Sequence, residues 1–164
     1  MANPMKLKGS QWERDAAEIM NKLVRRSIWK RVAGSGAIGT IMAEPLLNSD
    51  VKGNVESIPQ PFKVECKVGY GGATQFTLKK EWLDKVKAEA QNSYGIPMLM
   101  GKFSGAREGI RYFVVLDVEV FADLINRITE QKEEIDKLNK TVANFTPHYD
   151  IVNARNDGAF DRDE

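Results

Sequence analysis

The stretch Phe62–Val68, FKVECKV, constrains the chain more than any other. It follows a proline pair and reads as a strand. Residues two apart in a strand share a face, so Glu65 and Lys67 point one way while Val64 and Cys66 point the other. This strand, in the apolar middle of the chain, thus carries a carboxylate and an ammonium on one face. An exposed ion pair is worth only about 0–1 kcal/mol, so stability alone gives little reason for it.

The flanking sequence supplies the surroundings. SQWE at Ser10–Glu13 has the form of a capping box and predicts a helix from Gln11 to about Arg26, with Trp12, Ala16, Ile19 and Leu23 on its apolar side. SIWKRV reads as a strand, and AGSGAIG (33–39) as a loop. DVKGNVESI and FKVECKVGY read as two strands joined through PQP. Residues 77–95 read as a helix on Leu78, Trp82, Val86 and Ala90, with Gly95 as its stop. IPMLMGKF and RYFVVLDV give two more strands around SGAREG. The order α-β-β-β-α-β-β-α predicts a mixed sheet with helices packed on it. From Phe121 to about Val142, Phe121, Ile128, Ile135 and Val142 fall at a positions and Leu124, Gln131, Leu138 and Phe145 at d positions. That helix either pairs with a second copy or packs on its own sheet. The expected organisation is a domain at 1–118, this helix at 119–145 and a flexible acidic tail at 146–164.

Composition removes many chemistries. One cysteine, Cys66, and one histidine, His148, leave no disulfide, no cysteine- or histidine-built zinc site and no Ser-His-Asp triad. Catalysis, if present, falls to carboxylates, lysines and a hard metal ion. The net charge of +1 conceals a gradient. Residues 1–31 hold eight Lys/Arg against three Asp/Glu, and residues 32–116 ten against eight; residues 117–164 hold six against twelve. The basic two thirds suit a polyanion. The start MANPMKLKGS has neither an apolar run nor a cleavage site, and no run reaches membrane-spanning length, so a cytoplasmic protein with no membrane partner is expected.

Asp50 lies at the start of the strand before Glu65, and a hairpin would set the two carboxylates side by side. Two such carboxylates repel unless a cation lies between them. A divalent ion with oxygen ligands would serve, with Lys67 on the same face to orient a water or neutralise a phosphate. The glycines of GSGAIG fit G-x-G-x-x-G, but TIMAEPLLNSD, broken by Pro45, follows where a dinucleotide site needs a helix.

In order along the chain, Asp50 and Glu65-x-Lys67 resemble the PD-(D/E)xK nuclease superfamily. More narrowly, the chain resembles the archaeal-type Holliday junction resolvases, including virus-encoded versions. GSQWERDAAEIM is similar to that family's first helix, KRVAGSG to its Arg-x-x-x-Ser-Gly loop, SDVKGNV and KVECK to its two acidic strands, and GIPMLMGKF to the strand after the second helix. Ser49 stands where the superfamily name has Pro, and NVESIPQPF is longer and richer in proline than the family pattern.

The resemblance implies a restriction-endonuclease-like α/β fold and a Mg²⁺-dependent endodeoxyribonuclease, with Mn²⁺ able to substitute. It implies metal ligation by Glu13, Asp50, Glu65 and the Cys66 carbonyl, catalysis by these carboxylates with Lys67 and Ser35, and DNA contact by Arg31 and Ser35; it also favours phosphate contact over a solvated face for the basic cluster of Arg25, Arg26, Lys30 and Arg31. The substrate would be branched DNA, above all a four-way junction, cut by a homodimer in a bacterial, archaeal or virus-infected cell. Other nucleases of the superfamily, and a non-catalytic nucleic-acid-binding protein, remain alternatives. Glu13 has a second reading as a helix cap, Tyr70 one as a residue that stacks on or wedges into DNA, and Lys6 and Lys8 one as further phosphate contacts; Lys102 is carried on a strand near the expected site, with a surface role as its alternative.

Overall fold

The structure, a computed structural model, describes the backbone of residues 4–32 and 49–156 and the side chains of 8–32 and 49–145. Ser35, the glycine loop around it and the last eight residues lie outside the described residues. The elements in order are α1 (Pro4–Leu23), β1 (Ser27–Arg31), β2 (Val51–Val55), β3 (Ile58–Val68), α2 (Lys80–Gln91), β4 (Ile96–Lys102), β5 (Tyr112–Val115) and α3 (Val118–Asn156).

The five strands form one mixed sheet in the order β1-β2-β3-β4-β5. Only β3 and β4 run parallel. A parallel pair needs a crossover, and α2 provides it. This is the α/β architecture expected from the sequence, a restriction-endonuclease-like sheet flanked by helices and followed by one long helix. Residues 1–120 form one compact unit and residues 121–164, which hold most of α3, form another.

Helices α1 and α2 cover opposite faces of the sheet. Arg31 pairs in register with Val51, and Val51 with Val64, so these three share a face; Glu65 is on the other. Arg31 is bound by Glu13 of α1, and Glu65 by Lys85 of α2. Under α1 lie Trp12, Ala16, Trp29, Val64 and Met100, all buried. Trp12 also donates its indole N–H to the Met100 carbonyl at 3.4 Å. Asn21 clamps α1 to β1 by accepting from the Trp29 amide and donating to its carbonyl, each at 2.8 Å. Because both faces are covered, Phe62 to Cys66 form an unbroken buried run.

Four local expectations change. Helix α1 starts at Pro4, a residue suited to a first turn, so Ser10 and Glu13 are mid-helix and make no capping box. It stops at Leu23, and Arg26 takes a left-handed φ of 51° in the turn to β1. The β2–β3 turn is Glu56–Ser57, and Pro59 and Pro61 lie within β3 close to a register break in β2 between Gly53 and Val55. Leu78 precedes α2, and it is Tyr94, not Gly95, that adopts the left-handed φ of 50° after it. Gly95 is needed for space, since a Cβ there would come 2.8 Å from the Lys63 side chain and 3.0 Å from the Pro61 carbonyl. The backbone of α3 stays helical through part of the stretch expected as tail, to Asn156.

Gly53 lies under the buried Trp29 ring, 2.2 Å from where a Cβ would sit, whereas Gly9 has nothing within 4 Å. In urea unfolding, Gly53→Ala should lose about 1–3 kcal/mol by overpacking. Gly9→Ala, in a helix interior, should gain about 0.5–1 kcal/mol.

Candidate active site

The site is built where β2 begins beside the middle of β3. Asp50 donates its amide to the Val64 carbonyl at 3.0 Å and accepts from the Val32 amide at 2.9 Å, which fixes its backbone between β1 and β3. The β2–β3 register, carried one step past Val51 and Val64, sets Asp50 across from Glu65. The Asp50 carboxylate accepts from the Cys66 amide at 2.8 Å. Burial, then the charge of Glu65, push the Asp50 carboxyl up to about 6; the Cys66 amide pulls down, and Glu13 adds a smaller upward push.

Glu65 is 2% exposed. It accepts from Lys67 at 2.5 Å through one oxygen and from Lys85 of α2 at 2.8 Å through the other. Burial pulls the Lys85 ammonium down, but the hydrogen bond and charge of Glu65, with Glu89 and Asp50, leave it above its ordinary value. Lys67 also lies 5.3 Å over the Trp82 ring, where the ring quadrupole favours a cation. One turn further along α2, Glu89 is 3.6 Å from Lys85 and holds an oxygen that is buried without a hydrogen-bond partner among the described residues. Burial raises the Glu89 carboxyl, with Lys85 opposing. On the same sheet face Lys63 is fully buried; burial and then Lys52 lower its pKa, and Glu89 raises it. The charges of β3 thus meet an opposing set on α2.

Asp50, Glu65 and Lys67 come together as expected, with Cys66 between them. The Cys66 thiol is buried and pushed well up, by burial first and then by Asp50, Glu13 and Glu65. Glu13 is held apart. It accepts from Arg31 Nε at 2.5 Å on the α1 face, and Arg31 Nη2 reaches Ser10 at 3.2 Å. Among the described residues no three of His, Cys, Asp and Glu stand close enough to cage a cation as they lie. The donor set still fits a hard divalent ion, because Mg²⁺ keeps several waters and needs only one or two carboxylates. Asp50 and Glu65 are two carboxylates under mutual repulsion.

Of the basic residues expected on DNA, Arg25 and Lys30 are exposed, and Arg26 lies 3.9 Å from Glu56 with its side chain largely exposed. Arg31 is mostly covered and committed to Glu13. Lys102 is 3.6 Å from Asp15 and 5.2 Å from the Trp12 ring. Lys85, Glu89 and Trp82 were not singled out for the site in the sequence. Lys85 and Glu89 carry only the weak signal of an i,i+4 pair on a helix, which normally marks a solvated face.

Compared with known proteins, residues 5–156 match a family described as “Phage putative PDDEXK endonuclease”. No curated protein matches the chain. No helix among the described residues is long and apolar enough to cross a membrane.

Asp50 with a folded-state pKa near 6, against 3.8 for the free side chain, opposes folding when ionised. That cost is fully present above about pH 6 and is relieved as pH falls towards 4. In chelator, Asp50→Asn should therefore melt at or above wild type at pH 7.5, by at most about 3 kcal/mol for a two-unit shift. Thermal melts should show the difference shrinking at pH 5. A large loss at pH 7.5 would make Asp50 a structural residue.

Proposed function

The chain belongs to this phage PDDEXK endonuclease family, and we propose that it is a divalent-metal-dependent DNA endonuclease that resolves four-way junctions by paired nicks. The observation that carries the reading is Glu65, buried under two ammoniums and set across from Asp50. Burying a carboxylate with its cations is costly and rarely improves on apolar packing. The arrangement makes sense where charge is to be used.

Asp50 and Glu65 would hold Mg²⁺ or Mn²⁺, with the Cys66 carbonyl and, once released from Arg31, Glu13 as further donors. Such an ion supplies Lewis acidity toward a phosphoryl oxygen and toward the attacking water. Lys67 is partly open to solvent, which suits it to orient that water and to balance charge on the phosphate. Lys85 acts as a positioning residue, holding the second oxygen of Glu65. Arg25, Arg26 and Lys30 would contact phosphates, as would Ser35 in the glycine loop. Contact through backbone phosphates makes binding fall steeply with salt.

Two nicks need two sites, and α3 supports pairing with a second copy. Phe121, Ile128, Ile135, Leu138, Val142 and Phe145 are each more than half exposed along its heptad stripe. β-Branched residues at a with Leu at d favour a parallel two-stranded coil, and a lone polar Gln131 would fix its register. A twofold dimer matches the near-twofold symmetry of a four-way junction. The reaction would take place in the cytoplasm of the infected cell.

The test compares a synthetic four-way junction with a linear duplex of the same arms, in Mg²⁺ and in chelator. Symmetric, metal-dependent nicks in the junction alone, lost in Glu65→Ala, are expected. Equal cutting of the duplex would keep the nuclease and discard the junction; binding without cutting in Mg²⁺ or Mn²⁺ would leave a non-catalytic protein. Separately, Ile128→Asp with Ile135→Asp should halve the molar mass measured by light scattering. A wild-type monomer would remove the dimer.

A further inference from the structure

An aromatic cleft lies on the face of the sheet that carries Lys67. Lys67 pairs in register with Gly101, and Gly101 with Phe113, so the three share one face in a row across β3, β4 and β5. Two strand spacings, about 10 Å, separate the ends of that row. Gly101 is required there: a Cβ would meet the Phe113 ring at 2.2 Å. Its absence lets Phe113 lie across β4 toward Lys67.

The chain just after Lys67 is shaped to bring a second ring to the same place. Residues 69–76 turn back on themselves, with Gly71 bridged to Gln75. A Cβ at Gly69 would meet Phe76 at 2.7 Å, and one at Gly71 would meet the Gln75 carbonyl at 2.7 Å. GYGG is thus the hinge that delivers Phe76. Phe76 meets Phe113 edge-on at 4.8 Å between centroids, and Phe103 tilts against Phe113 at 5.2 Å. Phe76 also meets Trp82, the ring under Lys67, at 6.3 Å.

These rings are not sealed into the core. Phe76, Phe103 and Phe113 line a cleft of about 690 Å³ with Leu78 and Ile110, and Ile110 is 75% exposed. The walls are uncharged; the segments that frame them carry Lys67 and Lys79, both over the Trp82 ring, and the exposed Arg107 and Arg111 against Glu108, while Lys102 turns to Asp15 on the α1 face. A flat, apolar-faced group joined to phosphates fits that combination. Every base offers such a face, and stacking on aromatic side chains is tolerant of sequence.

We propose that this cleft binds an unpaired nucleobase of the DNA strand whose backbone reaches Lys67. The inference rests on the nuclease reading for its substrate and adds a site to it. Unpaired bases occur at branches and single-stranded stretches, so the cleft would favour such DNA over intact duplex. Tyr70, the aromatic that stands out in the sequence, is exposed at the turn and is not part of the cleft wall.

The test is a chemical double-mutant cycle in chelator, so that no cleavage is involved. Binding of a twelve-residue oligothymidylate is compared with that of the same strand made fully abasic, which keeps the phosphates and removes the bases. Wild type should prefer the strand with bases by about tenfold or more. Phe103→Leu with Ile110→Ala should lose most of that preference while binding the abasic strand as wild type does. Equal affinity of wild type for both strands, or a preference unchanged in the variant, would overturn the proposal. So would a change of molar mass in the variant with the preference intact, which would make the cleft a protein contact. Should the base preference appear and no metal support cutting, the cleft stands and the nuclease falls; cutting without the preference gives the reverse.

Discussion

Glu65 sets the terms for the rest of this fold. A carboxylate in the most covered part of the central strand must be given cations, and those cations must come from somewhere. Lys67 comes from the same strand. Lys85 comes from α2, the crossover from β3 to its parallel neighbour β4, which lies over that face of the sheet. The crossover, the burial of α2 and the site are therefore one arrangement. Removing either ammonium would leave Glu65 with one ion-paired lysine among the described residues, which is why Lys85 belongs to the site although it sits far from the Glu-x-Lys motif in sequence.

The parts of this structure written in local pattern were legible. Strands alternate or run apolar, helices repeat at 3–4 residues, and the element order followed from those periods. Glu65 and Lys67 were legible for a similar reason, since strand parity is itself local; Asp50 was legible as the acid that starts the neighbouring strand, but its register with Glu65 was not, because the turn falls at Glu56–Ser57 and not at PQP. What depended on competition between two local signals was not. SQWE is a sound capping box, yet PMKLKG upstream is helix-compatible and the first turn forms at Pro4, so the cap has no end to cap. PQP reads as a turn, but Glu56–Ser57 turns first, and the prolines are accommodated where the pairing is already irregular.

What depended on tertiary contact was legible least. Lys85 and Glu89 have the spacing of an ordinary solvated helix face, and only the crossover reveals their partner. Glu13 shows the converse. The resemblance implies it as a third carboxylate beside Asp50 and Glu65, and its charge is felt at Asp50. Parity then separates it: Arg31, Val51 and Val64 share the α1 face, and Glu13 follows Arg31. Asp50, at the strand start and across from Glu65, feels the charge of both Glu65 and Glu13.

The glycines show how closely the two faces were fitted. Gly53 is absent a side chain because Trp29 lies on it under α1; Gly101 because Phe113 lies on it on the α2 side. The first is pure packing, since Trp29 is almost fully buried. The second ends differently: the ring that Gly101 admits remains part of an open cleft instead of closing a core. Burial is what stabilises an aromatic side chain, so a ring drawn across a strand and then left partly uncovered forgoes some of that gain. Beside a buried acid and its lysines, that uncovered area is what the proposed nucleobase would bury.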